Sequence, residues 1–425
     1  MSLERPGRAG RRVALAFALA STLLGAALLA WWLSPLEELP LEPGAVELAA
    51  GPAMTAPVMA GDASAAAEVA AAARPASDTS PADKEFVEVC GLGKVRRGEL
   101  EDSLQEDGEA PSKSAWAQAL DRQAKQGLAD VLKRLDAGSL KQRVAAAVLR
   151  ADVQAAAELA ASTDDAAAYR IALRACRRDS TYRSAYPYAS QQQARLAASV
   201  ASGVRVPEPP VPGPIPVACA ALNLERLELL DPGDAWPWLL HLEDAHGDAA
   251  AISQALYQLA QRRRLSANTH ALVTAMAGVI GTEPTPGETW ALVSAMGVDG
   301  ASMTEGSLLS VGRACRPDAL RDANRRQLCE QVVRRAPDMA LDVMASRMLH
   351  TLEERLGLPH SPKALSREEA DRAQGAIAEV SMRWAAEPTC AHVGGMGRHL
   401  VKLAREGELA VIKAYLKTTP ASAPH

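Results

Sequence analysis

Aromatic side chains are scarce in this chain, with 2 Phe, 6 Tyr and 7 Trp among 425 residues. A core without large rings has to come from small and aliphatic side chains, and alanine, the best helix former, dominates here. Strand patterning is equally scarce. No alternating apolar run is longer than Phe86–Cys90, so the expected fold is all-α. A basic surface is missing as well: the net charge is −5 and the pI about 6.0, which argues against nucleic acid as a partner. None of the six cysteines stands in C-x-x-C spacing, which disfavours structural zinc and thioredoxin-type redox chemistry. There is no G-x-S-x-G, S-x-x-K, H-E-x-x-H or P-loop string. No catalytic, cofactor-binding or metal-binding residue is therefore assigned, and no cofactor is expected.

What the chain does have is a run without charge, Val13 to Leu33. As a helix rising about 1.5 Å per residue it is long enough to cross roughly 30 Å of hydrocarbon. Arg5, Arg8, Arg11 and Arg12 precede it, and Glu37, Glu38 and Glu42 follow. The positive-inside rule then keeps the N-terminus cytoplasmic and exports the bulk, with Trp31 and Trp32 at the far headgroup layer. The rival reading is a cleaved signal peptide. The run is long for one, and Leu28 replaces the small residue wanted three positions before a cut after Ala30. The expected location is a bacterial inner membrane, crossed once, with the body in the periplasm.

Export makes the cysteines legible as disulfides. Six cysteines allow fifteen pairings. Cys315 and Cys329 flank a helix-to-helix turn and are the best-supported pair; Cys176–Cys219 and Cys90–Cys390 are the pairings then expected of the rest. The alternative for any single cysteine is a buried thiol packing as a small hydrophobe.

The expected organisation is a cytoplasmic tail over 1–12, the transmembrane anchor over 13–33 and a disordered linker over 34–83. A helical half over 84–202, a proline-rich connection over 203–216, a helical-repeat half over 217–417 and a disordered tail over 418–425 follow. From Gly44 to Asp83 the linker has few large apolar residues and no periodic face, and as a flexible coil the whole would span roughly 40 Å. Phe86 to Gly93 reads as a short strand and turn. Gly91 and Gly93 do not make a phosphate loop, because no helix opens after them. Helices are then expected from Pro111 onward. Ser139 with Gln142, Thr285 with Glu288, Ser302 with Glu305 and Ser366 with Glu369 read as capping boxes or caps. One helix is expected to carry Leu140 through Leu159, and others to cover 217–230, 266–280, 316–335 and 338–356. Tyr182, Tyr186 and Tyr188 read as core rather than as a binding face.

Leu230 to Arg264 resembles a tetratricopeptide-type repeat. Trp236 falls on its first-helix aromatic, Leu239 on its leucine, and Gly247 and Asp248 on the inter-helix turn. Ile252 departs from the small residue expected there, while Leu256 and Leu259 are apolar as required but not of the usual types. The resemblance covers this single repeat and implies a helical-hairpin array, or irregular α-solenoid, without an activity. The whole chain also resembles uncharacterised, alanine-rich envelope proteins of high-GC proteobacteria.

Three strings have the residue types of chemistry. His241, Glu243, Asp244 and His246 cluster, but histidines five apart point about 140° apart on a helix and do not share a metal. Cys390 and His392 could form a nucleophile pair only if Cys390 were free. Met339, Met344 and Met348 read as core. Arg262–Arg264 and Arg325–Arg326 read as solvated faces or ends of helices. The leading expectation is a membrane-anchored interaction or scaffold protein with a protein partner in the envelope. The alternative is an envelope enzyme, such as a cell-wall hydrolase, with a site its motifs do not disclose.

Overall fold

A computed structural model describes residues 86–96, 115–180, 214–245, 247–265, 270–300, 306–336, 342–386 and 388–418. The expected anchor, linker and C-terminal tail beyond Thr418 lie outside them, as do the tyrosine cluster and residues 203–213 of the proline-rich connection. Among the described residues no helix is long and apolar enough to cross a membrane. They are helical apart from one antiparallel hairpin, β1 (Phe86–Val89) with β2 (Gly93–Arg96). Val87 and Val89 turn inward while Glu88 faces out, the two-residue period of a half-buried strand. Gly91 and Gly93 both sit at φ +81°, where an L side chain is strained, so these glycines make the hairpin turn.

Caps set the helix boundaries. Helix α1 (Ala115–Asp136) stops at Gly138, and Ser139 closes a reciprocal box with Gln142 to start α2 (Leu140–Leu149). The single helix expected from Leu140 to Leu159 is in fact two. Ala151 takes a φ of +59°, and Asp152 accepts from Ala155 N to begin α3 (Val153–Ala161). Helix α4 covers 166–180, capped by Asp165. The helix expected over 217–230 is likewise divided, into a 3-10 turn (Val217–Ala221) and α5 (Leu224–Leu230), with Asn223 capping the second. After these come α6 (Trp236–Asp244), α7 (Ala249–Gln261), α8 (Ala271–Ala277) and α9 (Pro286–Gly300). The Thr285–Glu288 box that opens α9 is formed in both directions, at 2.7 and 3.3 Å. Helix α10 (Leu308–Ala314) is capped by Ser307; Ser302 and Glu305 lie outside the described residues. The stretch expected as one helix over 316–335 is a 3-10 turn (Ala319–Arg321) and α11 (Ala323–Arg335), broken by the Asp322 cap. The last helices are α12 (Val343–Leu356), α13 (Arg367–Ala386), α14 (Cys390–Glu406) and α15 (Glu408–Thr418). The Ser366–Glu369 box opens α13, as expected.

The largest core joins α1 to α4 with α5, α8, α9 and α14, so it draws on both sides of the proline-rich connection. A second core gathers α6, α7, α10, α11 and α12. Alanine outnumbers every other buried residue in the first. A leucine contributes about 1.5–3 kcal/mol when fully buried, and an alanine methyl far less. Helices with small faces compensate by approaching closely. The α1–α9 crossing is built on Gly127 and Gly287: a Cβ added at Gly127 would stand 2.1 Å from the Gly287 carbonyl carbon.

Candidate functional site

The six cysteines stand in three bonded pairs, Cys90–Cys390, Cys176–Cys219 and Cys315–Cys329, separated in sequence by 300, 43 and 14 residues. These are the three pairings expected above. The first staples the β-hairpin to the start of α14, beside a hydrogen bond from Cys90 N to the Pro388 carbonyl. The second ties α4 to the chain just after the proline-rich connection. Since Cys390 is bonded, it has no thiolate to act as a nucleophile, and the Cys390–His392 pair falls away as a catalytic candidate.

Helix α4 carries a ladder of arginines at positions 170, 174, 177 and 178, and its partners lie far away in sequence. Buried Arg170 reaches Asp231 at 2.9 Å and Asp234 at 2.6 Å, in the turn before α6. Arg264 closes on Asp231 from the other end of the α6–α7 hairpin. Arg177 holds Asp244 through both carboxylate oxygens, and Arg178 donates to the Val298 carbonyl. The string around His241 is thus dispersed into structural contacts. Asp244 goes to Arg177, Glu243 accepts from Gly306 N, and His241 Nε2 lies 2.7 Å from Glu228. His246 lies outside the described residues. Met348 packs on the second core, and Met339 is outside the described residues. Arg262 and Arg325 donate to backbone carbonyls at neighbouring helix ends.

Asp299, at the end of α9, caps α8 by accepting from Leu272 N at 2.9 Å and Val273 N at 3.3 Å. Burial pushes its carboxyl up to about 6, against the pull of Arg174, the two N–H groups and His270. A folded-state value above the unfolded one means the folded chain keeps a proton that the unfolded chain has already lost. This contribution to stability is therefore fully present below about pH 4 and is lost as pH rises through about 6, roughly 3 kcal/mol in all. Unfolding titrations of wild type and D299N between pH 4 and 6 check it: the expected difference in slope is about 1.4 kcal/mol per pH unit. Parallel curves would contradict the assignment.

The grouping that the sequence did not disclose lies where α12 ends. Gly357 caps the helix at φ +66°, with Leu358 N bonded back to the Glu353 carbonyl at 2.8 Å. The reversal carries His360 back over the last turns of α12. Its ring stacks on His350 with centroids 3.7 Å apart and planes 14° from parallel. Between helix and loop sits Glu353, 3% exposed, which accepts from Ser361 N and faces His360 Nδ1, both at 3.1 Å. His350, Glu353 and His360 are the residues, among those described, whose donor atoms could share one ion. Glu353 and His360 line an open cavity of about 300 Å³, with Arg334 and Lys363 also on its wall. No family model, no curated protein and no solved structure matches this chain. The functional reading therefore rests on its own residues. The signal that could have found the site is a histidine and a glutamate three apart on one helix face, followed beyond a Gly-Leu-Pro reversal by a second histidine.

Proposed function

We propose that the chain is an exported, membrane-tethered interaction module of the bacterial cell envelope. It is anchored in the inner membrane by residues 13–33, and it presents an irregular stack of helical hairpins to a protein partner. The observation that carries this reading is the set of three disulfides with no free cysteine among the described residues. Such bonds persist in oxidising compartments, which agrees with export past an anchor. The Cys90–Cys390 bond lies directly after the linker, so the tether joins a part of the body that is covalently closed. The α6–α7 hairpin supplies a candidate contact surface. Its two ends are pinned by a bridge between Asp234 and Arg264, while Tyr257 on α7 and Leu229 on α5 are exposed. Stacked hairpins of this kind commonly serve binding, which is an argument from architecture alone.

A photo-crosslinking residue placed at Tyr257 in the full-length chain tests the reading in cells. The expected result is a discrete adduct in the envelope fraction with one reproducible protein. Absence of any adduct from Tyr257 and from Leu229 counts against the module. The second reading, an envelope enzyme, is favoured by one observation: the His350–Glu353–His360 group adjoins an open cavity through Glu353 and His360.

A further inference from the structure

We propose that His350, Glu353 and His360 bind a divalent transition-metal ion of the zinc class, with a fourth coordination position open to the adjoining cavity. The inference is independent of the compartment and of the partner. It begins with proximity: one donor atom from each residue lies within 4.8 Å of the others. The electrostatics point the same way. Glu353 is a buried carboxylate whose ion-pair partner is His360 rather than an arginine or lysine. A buried charge needs compensation, and a dication held by all three groups provides it.

The supporting structure is also that of a ligand set. His350 and Glu353, three residues apart, lie on one face of a helix, and the left-handed cap at Gly357 fixes the return of His360. Glu354 Oε1 stands 3.5 Å from His350 Nε2, where an outer carboxylate orients a metal-bound ring. Parallel rings must tilt for their lone pairs to converge on one ion. His360, half-exposed at the cavity mouth, has the room to do so. Two imidazoles and one carboxylate suit zinc and its neighbours, whereas calcium and magnesium select all-oxygen sets. Three protein ligands with a vacant fourth position are the composition of zinc sites that hold a water or a substrate group. The competing account is that Glu353 pins the loop through Ser361 N and His360 while His350 only supports the His360 ring by stacking.

The test uses the full-length, untagged chain in detergent, stripped with a chelator. It is titrated with Zn²⁺ by calorimetry and with Co²⁺ by visible absorption, beside H350A, E353Q and H360A. The expected result is one equivalent of Zn²⁺ per chain and Co²⁺ bands of a low-symmetry, four- or five-coordinate site. Each variant should weaken both by more than about 10-fold, the loss that removing even an outer partner produces. E353Q disturbs a buried group and H360A removes its partner, so binding is compared at a temperature well below the metal-free melting transition of every variant, with H360A, at the cavity mouth, as the deciding one. No stoichiometric binding, or Zn²⁺ binding that H360A leaves unchanged, would overturn the proposal and leave Glu353 as a loop pin.

Discussion

Replacing Cys90 and Cys390 together by serine is expected to lower the unfolding free energy by about 5–6 kcal/mol, measured by urea unfolding of the full chain followed by circular dichroism. The bond closes a loop of 300 residues, the longest of the three. The other two bonds lie inside that loop and span only 43 and 14 residues. Loop-closure entropy grows with the logarithm of length, so these shortcuts barely reduce the effect of the long cross-link. By the same chain-entropy model, Cys315–Cys329 is worth about 3 kcal/mol. Whole domains are stable by only about 5–15 kcal/mol, and a core rich in alanine leaves little margin. The expected order is therefore loss of cooperative unfolding when all three are reduced, a large shift for the Cys90–Cys390 pair, and a smaller one for Cys315–Cys329. An unchanged midpoint for the C90S/C390S double variant would contradict it.

The second large effect is expected at Arg170. Its guanidinium is the link between α4 and the turn that starts the α6–α7 hairpin, and both carboxylates it meets, Asp231 and Asp234, are buried. R170M preserves much of the volume but removes the guanidinium that two buried carboxylates share; Arg264, more than half exposed, stays on Asp231, and Asp234 keeps the Trp236 N–H. Breaking a buried pair by removing one partner costs about 3–5 kcal/mol, because the remaining charge has lost its compensation. R177M is the control. Its bidentate partner Asp244 is half-exposed, so solvent screens the pair and the expected cost is about 1 kcal/mol or less. Equal losses for R170M and R177M would show that burial does not set the value of these contacts.

These two cases mark what the sequence disclosed and what it did not. The cysteine pairs were legible because the export expected from the uncharged N-terminal run makes disulfides the default, and the spacing of Cys315 and Cys329 narrows the choice. Capping boxes at Ser139, Thr285 and Ser366 were legible because their chemistry is local, three residues from cap to partner. The breaks within Leu140–Leu159, 217–230 and 316–335 were not. Each is made by an aspartate or asparagine cap without a glycine or proline stop, and at Ala151 by an alanine in the left-handed region. An alanine-rich apolar period runs straight through such points. The arginine ladder of α4 was hidden for a different reason. Its charges look like a solvated face until partners 61 and 64 residues away, Asp231 and Asp234, fold onto Arg170. The His350–Glu353–His360 group was hidden because it joins a helix to the loop that follows, and only the left-handed reversal at Gly357 brings His360 back to the other two.

The central claim is an exported helical body closed by three cross-links. Thiol labelling of the full-length chain in intact cells, quenched under denaturing conditions before and after reductant, tests it most directly. The account predicts no reactive thiol before reduction and all six cysteines after it. Reactive Cys90, Cys176 or Cys315 in the unreduced chain would contradict both the cross-links and the exported location.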